Sequence, residues 1–557
     1  MRSSLLFIAL AAAGALPASA LAETFATKAE ITRYADAMMA ANYRQDAPGA
    51  AVLIARGDEV MFRSARGLAD TGTGTPLTAD AVFRIGSVSK QFAAAGLLKL
   101  VEAGKVSLAD PLSKYLPGFP NGKHITVLEL LNHTSGVKSY TDMASFREGP
   151  VEKDFSTAQL IASFQDAKPD FAPGEGWAYN NSGYVLVGAV IEAASGRPWH
   201  DYLRTALFEP LGLADTYYGG DPRATARQVP GYSLDDGKVV AAKAISMTVP
   251  HAAGALLSTV DDLMKWNRAL HEGRVLNSDS YTQMITPTGK ATEEKYGFGI
   301  SRSTVQGTPM LDHGGGIFGF SSMLQYVQGP DISVVVLQNS DSSGDHDDPE
   351  SIARKLTAAA LGAPYPEAIA IPMDVAALKQ FEGVYRIDAS TARVLRVVDG
   401  KLTAQRTGGQ RSDLMPIARD EFLYDDGLNR FTVQRDAAGA VAGMRFFSNG
   451  EPPGTAVART AEPLPTARQE VPLRRHQLDR VTGTYAANGM SLKVFLDGIQ
   501  LKAQMSGQAA IDIFAESPDS FFLTVVNATL AFAAGKDGAP AVTLSQGGDT
   551  TEFQRTP

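Results

Sequence analysis

Ser87 and Lys90 stand three residues apart in Ser87-Val88-Ser89-Lys90, at the head of the apolar stretch that runs from Gln91 to Glu102. Helical residues three apart share a face, so this spacing sets a hydroxyl beside an amine. A serine hydroxyl is a weak nucleophile until a neighbouring base takes its proton, and an amine kept neutral can do so. The pair is therefore a local nucleophile–base unit, the core of one known type of serine hydrolase site. Ser87 rather than Ser89 is the nucleophile, because only Ser87 has Lys90 one turn away on its own face. Short polar patterns also recur by chance. The reading needs a second acid–base group, a group that holds a substrate amide, and backbone donors for an oxyanion.

Two further clusters supply them. Tyr179-Asn180-Asn181 follows Pro173-Gly174 and precedes Ser182-Gly183-Tyr184, which sets it on a turn before a helix. A tyrosine relays a proton if nearby cations lower its pKa, and an asparagine offers an amide both donor and acceptor. Asp312-His313-Gly314-Gly315-Gly316 precedes a late strand. Its glycines let backbone N–H groups approach a ligand, and an imidazole donates a hydrogen bond or carries charge near neutral pH. Each residue also has a structural reading. Ser87 fits a helix N-cap, Lys90 a solvated helix position, Tyr179 a core aromatic and the glycine run a turn. Conjunction and order favour chemistry.

The elements that must position these residues read as one mixed unit over residues 23–362. Ala50 to Ala55 and Val60 to Arg66 are strand-like around the turn Arg56-Gly57-Asp58. Ser322 to Val327 and Ile332 to Asn339 are strand-like near its end. Helical patterns fill the middle at Gln91 to Glu102, Thr157 to Phe164, Val185 to Ala194 and Thr259 to Leu270. The expected class is α/β of the α+β type. One antiparallel sheet closes through sequence-distant segments, flanked by helices and carrying an inserted helical region.

Beyond Gly362-Ala363-Pro364-Tyr365-Pro366 the texture changes to short strands and Gly/Asp turns. A repeat appears there: Leu378, Phe381, Gly383 and Tyr385 match Leu478, Val481, Gly483 and Tyr485. Asp399-Gly400 matches Asp497-Gly498, Glu421-Phe422 lies opposite Ser520-Phe521, and Arg459-Thr460 and Arg555-Thr556 close the copies. The reading is two small all-β barrel-like domains, residues 371–460 and 473–557.

Composition bounds the function. The chain has 557 residues, 20% of them charged, a net charge of −9 and no cysteine. That excludes a disulfide framework, a cysteine nucleophile and a cysteine-ligated metal. No basic run stands out, which argues against nucleic acid. Arg2, the apolar run Leu5 to Leu16 and the small-residue patterns Ala18-Ser19-Ala20 and Ala20-Leu21-Ala22 read as a signal peptide over residues 1–22. The expectation is an exported protein, periplasmic or secreted, with no stable membrane span.

The three motifs in this order resemble the serine β-lactamase and penicillin-binding protein family, most nearly its class C-like branch. That branch includes D-aminopeptidases, D-alanyl-D-alanine carboxypeptidases and esterases. Its S-x-x-K pattern stands as Ser87-Val88-Ser89-Lys90, Y-x-N as Tyr179-Asn180-Asn181, and histidine-x-glycine, in place of lysine-threonine-glycine, as His313-Gly314-Gly315. Leu131-Asn132-His133-Thr134-Ser135-Gly136, Tyr296-Gly297-Phe298-Gly299 and Ser258-Thr259-Val260-Asp261-Asp262-Leu263 look similar too. The resemblance covers residues 25–362, and the tandem modules are similar in layout to D-aminopeptidase. It implies an acyl-enzyme formed on Ser87, with Lys90 and Tyr179 sharing the proton. The N–H groups of Ser87 and Gly316 would form the oxyanion hole, and Asn181 would hold the substrate amide. His313 and Gly315 would meet the substrate's other end, or His313 would tune Tyr179. No metal or organic cofactor is implied. The substrate would be a small peptide, amide, ester or β-lactam, and a D-amino-acid-directed peptidase is the leading reading. The other readings are a β-lactamase or broad esterase, and a catalytically idle cell-wall or partner-binding protein. His313 is only partly charged at neutral pH where lysine is a fixed cation, which lowers the expectation of efficient β-lactam hydrolysis. Three roles stay open for the modules: capping the active site, as a loop inserted into the cleft in the D-aminopeptidase manner, forming a homodimer, or binding a ligand.

Overall fold

Runs such as Ala-Ala-Val-Leu-Ile-Ala at 50–55 are apolar at every position, so a strand built from them must be covered on both faces. The computed structural model meets that demand. It describes residues 25–556 apart from 148, 236–237, 343–347, 367–368, 408, 410, 426, 466–467, 469, 488–489, 499, 507, 509, 525, 535–539 and 547–548. The signal-peptide reading of residues 1–22 lies outside the described residues.

The central sheet contains Ala50–Arg56 (β1), Glu59–Arg66 (β2), Ser301–Val305 (β3), Thr308–Ile317 (β4), Phe320–Val327 (β5) and Ile332–Gln338 (β6). Their order is β3-β4-β5-β6-β1-β2, antiparallel throughout. Sequence-distant segments close it as expected, with Val52 opposite Val336 and Leu53 opposite Val335. The helices around it are Lys28–Asn42 (α1), Ser89–Glu102 (α2), Asn181–Ser195 (α3), His251–Gly254 (α4), Val260–His271 (α5) and Pro349–Ala360 (α6). Successive strand residues face opposite ways. Val52, Ile54, Val334 and Val336 therefore pack under α1 and α6 with Ile31, Met39, Ile352 and Leu356. Leu53, Val335 and Leu337 face α2 and α5 with Phe92, Leu97, Leu263 and Trp266.

Two strands, β3 and β4, escaped the sequence reading. The His313 glycine run lies inside β4 rather than ahead of a strand. Glycines blur a strand pattern by removing side chains, and here pairing restores it: Gly314, Gly315 and Gly316 stand opposite Met323, Ser322 and Ser321 of β5. Among the described residues no helix is long and apolar enough to cross a membrane.

Each repeat forms a closed eight-stranded barrel, one from Gly383–Arg386 to Thr455–Arg459, the other from Gly483–Ala487 to Asp549–Arg555. Closure leaves no free strand edge. The repeated residues carry the same contacts in both copies. The Tyr385 hydroxyl donates to the Phe381 carbonyl at 2.7 Å, and that of Tyr485 to the Val481 carbonyl at 2.9 Å. A Cβ on Gly383 would lie 2.6 Å from Nε of Arg459, and one on Gly483 2.7 Å from Nε of Arg555. The recurring glycine thus makes room for the recurring arginine of the closing strand.

The first barrel is fastened to the turn between β3 and β4. The Glu451 carboxylate accepts from the Gln306 and Gly307 N–H groups at 2.9 and 3.1 Å and from the Tyr365 hydroxyl at 3.0 Å. It also pairs with Arg354 of α6 at 3.0 Å, both side chains largely buried. No hydrogen bond or ion pair among the described residues joins a barrel residue to Ser87, Lys90, Tyr179, Asn181 or His313.

Replacing Tyr385 or Tyr485 by Phe leaves a buried carbonyl unmet. Each change is expected to destabilise its own barrel by about 1–2 kcal/mol, read as faster amide exchange confined to that barrel, with hydrolytic activity unchanged.

Candidate active site

A tight turn, Gly86–Val88, precedes α2, and Val88 rather than Ser87 occupies its N-cap. Ser87 is therefore free of capping duty. Gly86 has φ 49°, and a Cβ on it would lie 2.9 Å from the Gly316 nitrogen. Only glycine both adopts that φ without strain and lets the turn lie against β4. This brings Ser87 beside Gly316.

Lys90, one turn on, is fully buried. Its Nζ lies 3.0 Å from Ser87 Oγ, 2.8 Å from Asn181 Oδ1 and 3.0 Å from the Ala253 carbonyl of α4. Asn180 caps α3 by accepting from the Gly183 N–H at 2.8 Å, which turns Asn181 inward. The Asn181 Nδ2 donates to Thr141 Oγ1 at 3.1 Å, so its oxygen is the end that faces Lys90. Burial lowers the Lys90 pKa well below the usual lysine range. A neutral amine has two N–H bonds and one lone pair. Asn181 Oδ1 and the Ala253 carbonyl only accept, so they take both N–H bonds. The lone pair is left for the Ser87 hydroxyl.

Tyr179 places its ring 4.7 Å from Lys90 Nζ and its hydroxyl in hydrogen-bonding reach of Ser87. About a third of the residue, 37%, is open to solvent. The sequence suggests cations that lower its pKa. Instead burial raises it, with the hydrogen bond from Ser87 acting weakly the other way. Tyr179 is a phenol at neutral pH.

His313 is buried in β4. Its Nδ1 lies 2.6 Å from the Gly314 carbonyl and its Nε2 2.8 Å from the Tyr296 hydroxyl. A carbonyl only accepts, so the proton sits on Nδ1, and Nε2 accepts from Tyr296. Burial lowers the His313 pKa to about 4. It is neutral at pH 7, which corrects the expected partial charge. Its ring is 6.2 Å from that of Tyr179.

The glycines differ in use. A Cβ on Gly315 would lie 2.1 Å from the Ile85 carbonyl, whereas one on Gly316 would meet nothing within 4 Å. Gly315 is thus a packing position between β4 and the Ser87 turn, and Gly316 borders open space.

Four groups here were not singled out from sequence. His133, at φ 65°, accepts at Nδ1 from the Asn180 N–H at 3.2 Å and lies 4.6 Å from the Tyr179 ring. Its other nitrogen has no hydrogen-bond partner among the described residues and sits among the Trp177, Tyr184 and Tyr296 rings. Tyr296, Thr141 and the Ala253 carbonyl complete the set. His133 and Tyr296 belong to stretches already noted for their similarity. Thr141 and a backbone carbonyl carry no signal in sequence.

A buried amine against a turn-borne serine, on an antiparallel sheet with a helical insertion, defines a serine hydrolase. The Beta-lactamase family model matches residues 31–359, so the chain belongs to that family. It is 26% identical to Penicillin-binding protein 4* of Bacillus subtilis (strain 168), over 70% of this chain and 90% of the relative. It is 28% identical to a D-aminopeptidase of Gluconobacter oxydans (strain 621H), over 57% of this chain and 60% of that protein's length. Among solved structures, a D-stereospecific amidohydrolase from Streptomyces sp. is 31% identical, over 57% of this chain and 96% of that one, with a TM-score of 0.50.

Gly315→Ala is expected to lower stability by several kcal/mol and to abolish activity, while Gly316→Ala keeps the fold; thermal melts of both variants check this. Stability should also depend on pH. Burial holds His251 and His271 at about 3 and His313 at about 4, and holds His133 well below 6.5. Below their unfolded value near 6.5, the unfolded chain binds protons that the fold refuses. Stability falls with pH there by up to about 1.4 kcal/mol per unit for each. Burial raises Asp312 to about 6, which has the opposite sign: its contribution is lost as pH rises through 6. Four histidines outweigh one carboxyl, so the urea midpoint should be lower at about pH 5 than at about pH 7.5.

Proposed function

We propose that this chain is an exported hydrolase of D-amino-acid amides or N-terminal D-residues, acting through an acyl-enzyme on Ser87. The observation that carries the acyl-enzyme step is the buried Lys90 amine 3.0 Å from Ser87 Oγ, with Asn181 Oδ1 and the Ala253 carbonyl at 2.8 and 3.0 Å to take its N–H bonds. Ser87 Oγ attacks the carbonyl carbon as Lys90 accepts its proton. The N–H groups of Ser87 and Gly316 hold the oxyanion, a contribution commonly worth about 3 kcal/mol for one donor. Tyr179, a phenol beside Ser87, hands a proton to the leaving amine, and Lys90 restores it. Water then repeats the attack on the ester and frees Ser87. Asn181 keeps Lys90 oriented, with its amide available to a substrate that displaces Thr141.

Two observations favour amide or aminopeptidase substrates over carboxypeptidase ones. A neutral His313 supplies no fixed cation for a free carboxylate. Two relatives, a D-aminopeptidase and a D-stereospecific amidohydrolase, point to D-residues. The N-terminal apolar run and small-residue patterns support export.

Ser87→Ala and Lys90→Ala should each lower kcat on D-alanine p-nitroanilide and p-nitrophenyl acetate by on the order of 10³-fold or more. Undiminished turnover by Ser87→Ala would overturn the acyl-enzyme step. The D-anilide should exceed its L-isomer at least tenfold in kcat/KM. Equal rates would overturn the D-directed reading alone.

A further inference from the structure

The two barrels meet around a cavity of about 740 Å³ whose walls carry arginines. On the first barrel, Leu395 points into the core, so its neighbours Val394 and Arg396 face outward. Cross-strand partners share a face. Val384, Val394, Gln405 and Arg411 are successive partners, and so form one outward row across four strands. Arg386 and Arg396 flank this row, two residues from Val384 and Val394 in opposite directions. Arg406 lines the cavity from a strand end, and Arg468 enters from the linker, donating to Thr529 Oγ1 at 2.6 Å and lying over the Phe522 ring. Phe522 and Asn527 of the second barrel form the opposite wall.

Five arginines thus line one cavity, and Glu462, which pairs with Arg386, is its single carboxylate among the described residues. Arg396 donates to the Pro465 carbonyl, and no described carboxylate pairs with Arg396, Arg406, Arg411 or Arg468. The whole chain carries a net charge of −9, so this local excess of positive charge runs against the overall field. Guanidinium forks match carboxylate and phosphate oxygens in pairs. Arg396 and Arg411 lie two strand spacings and two residues of register apart, about 12 Å, too far for one anionic group to bridge directly.

We propose that the cleft between the two barrels is a binding site for an oligoanionic ligand, its charges carried by carboxylate or phosphate groups on a chain. Arg396, Arg406, Arg411 and Arg468 hold the anionic groups, and Phe522 and Val394 pack against the stem between them. The site is separate from the Ser87 centre and does not rest on the reaction assigned to it.

The test titrates the full-length protein by calorimetry with two probes, inorganic tripolyphosphate and an oligo-glutamate peptide. At least one should bind saturably and lose affinity steeply with added salt, and the stronger of the two identifies the anionic group. The double variant Arg396→Gln/Arg411→Gln should weaken that binding at least tenfold, with ester turnover unchanged. Arg419→Gln, outside the cavity, should leave it intact. Phenylglyoxal labelling of the unaltered protein reads the same site without substitution: the bound probe should protect Arg396 and Arg411. Failure of both probes to bind, or binding that neither protects these arginines nor responds to the double variant, would overturn the proposal.

Discussion

An amine buried without a carboxylate beside it has its charged form disfavoured, and that constraint at Lys90 governs the site. Transfer of an unpaired ammonium into a protein interior costs several kcal/mol, so burial drives the Lys90 pKa down. What the surroundings then decide is where the lone pair points. Asn181 and the Ala253 carbonyl claim the two N–H bonds, and Ser87 is the neighbour that remains. Three segments distant in sequence must converge to within 3.0 Å of one nitrogen. The cap at Asn180 and the Ser139–Thr141 stretch are both explained by that convergence.

The same low-polarity surroundings keep the other groups neutral. Tyr179 stays a phenol and His313 an imidazole, so the site holds proton donors and acceptors without fixed charge. Neutrality has a structural cost, because every buried histidine is an acid-labile point. It also sharpens what the site can recognise. A substrate would be held by hydrogen bonds and shape, with little help from a counter-ion. Glycines complete the geometry: Gly86 and Gly315 allow a helix-leading turn and a sheet strand to touch backbone to backbone.

Much of this was legible in the chain. The S-x-x-K spacing survives as a contact because the Gly86–Val88 turn runs directly into α2, so the backbone from Ser87 to Lys90 keeps a helical course. Tyr179-Asn180-Asn181 reads correctly as a turn before a helix, since Asn180 is an N-cap. The tandem barrels were legible because each must solve the same closure with the same tyrosine, glycine and arginine. β3 and β4 were not: Ser-Arg-Ser-Thr-Val at 301–305 is polar at four of five positions, and the glycines of β4 remove the alternation that reveals a strand. His133 was not singled out for a role because its contacts with Tyr179 and Asn180 span more than forty positions of chain.

Sequence by itself determined which side chains are available and which local elements carry them: the nucleophile and its base, the cap before α3, the repeated barrel. The protonation of those groups was settled by tertiary structure alone. A pKa depends on burial and on partners from distant segments, and neither is written in local spacing. The arginines show the same division. Spread singly from 386 to 468, they make no basic run, and only the pairing of strands sets them around one cavity.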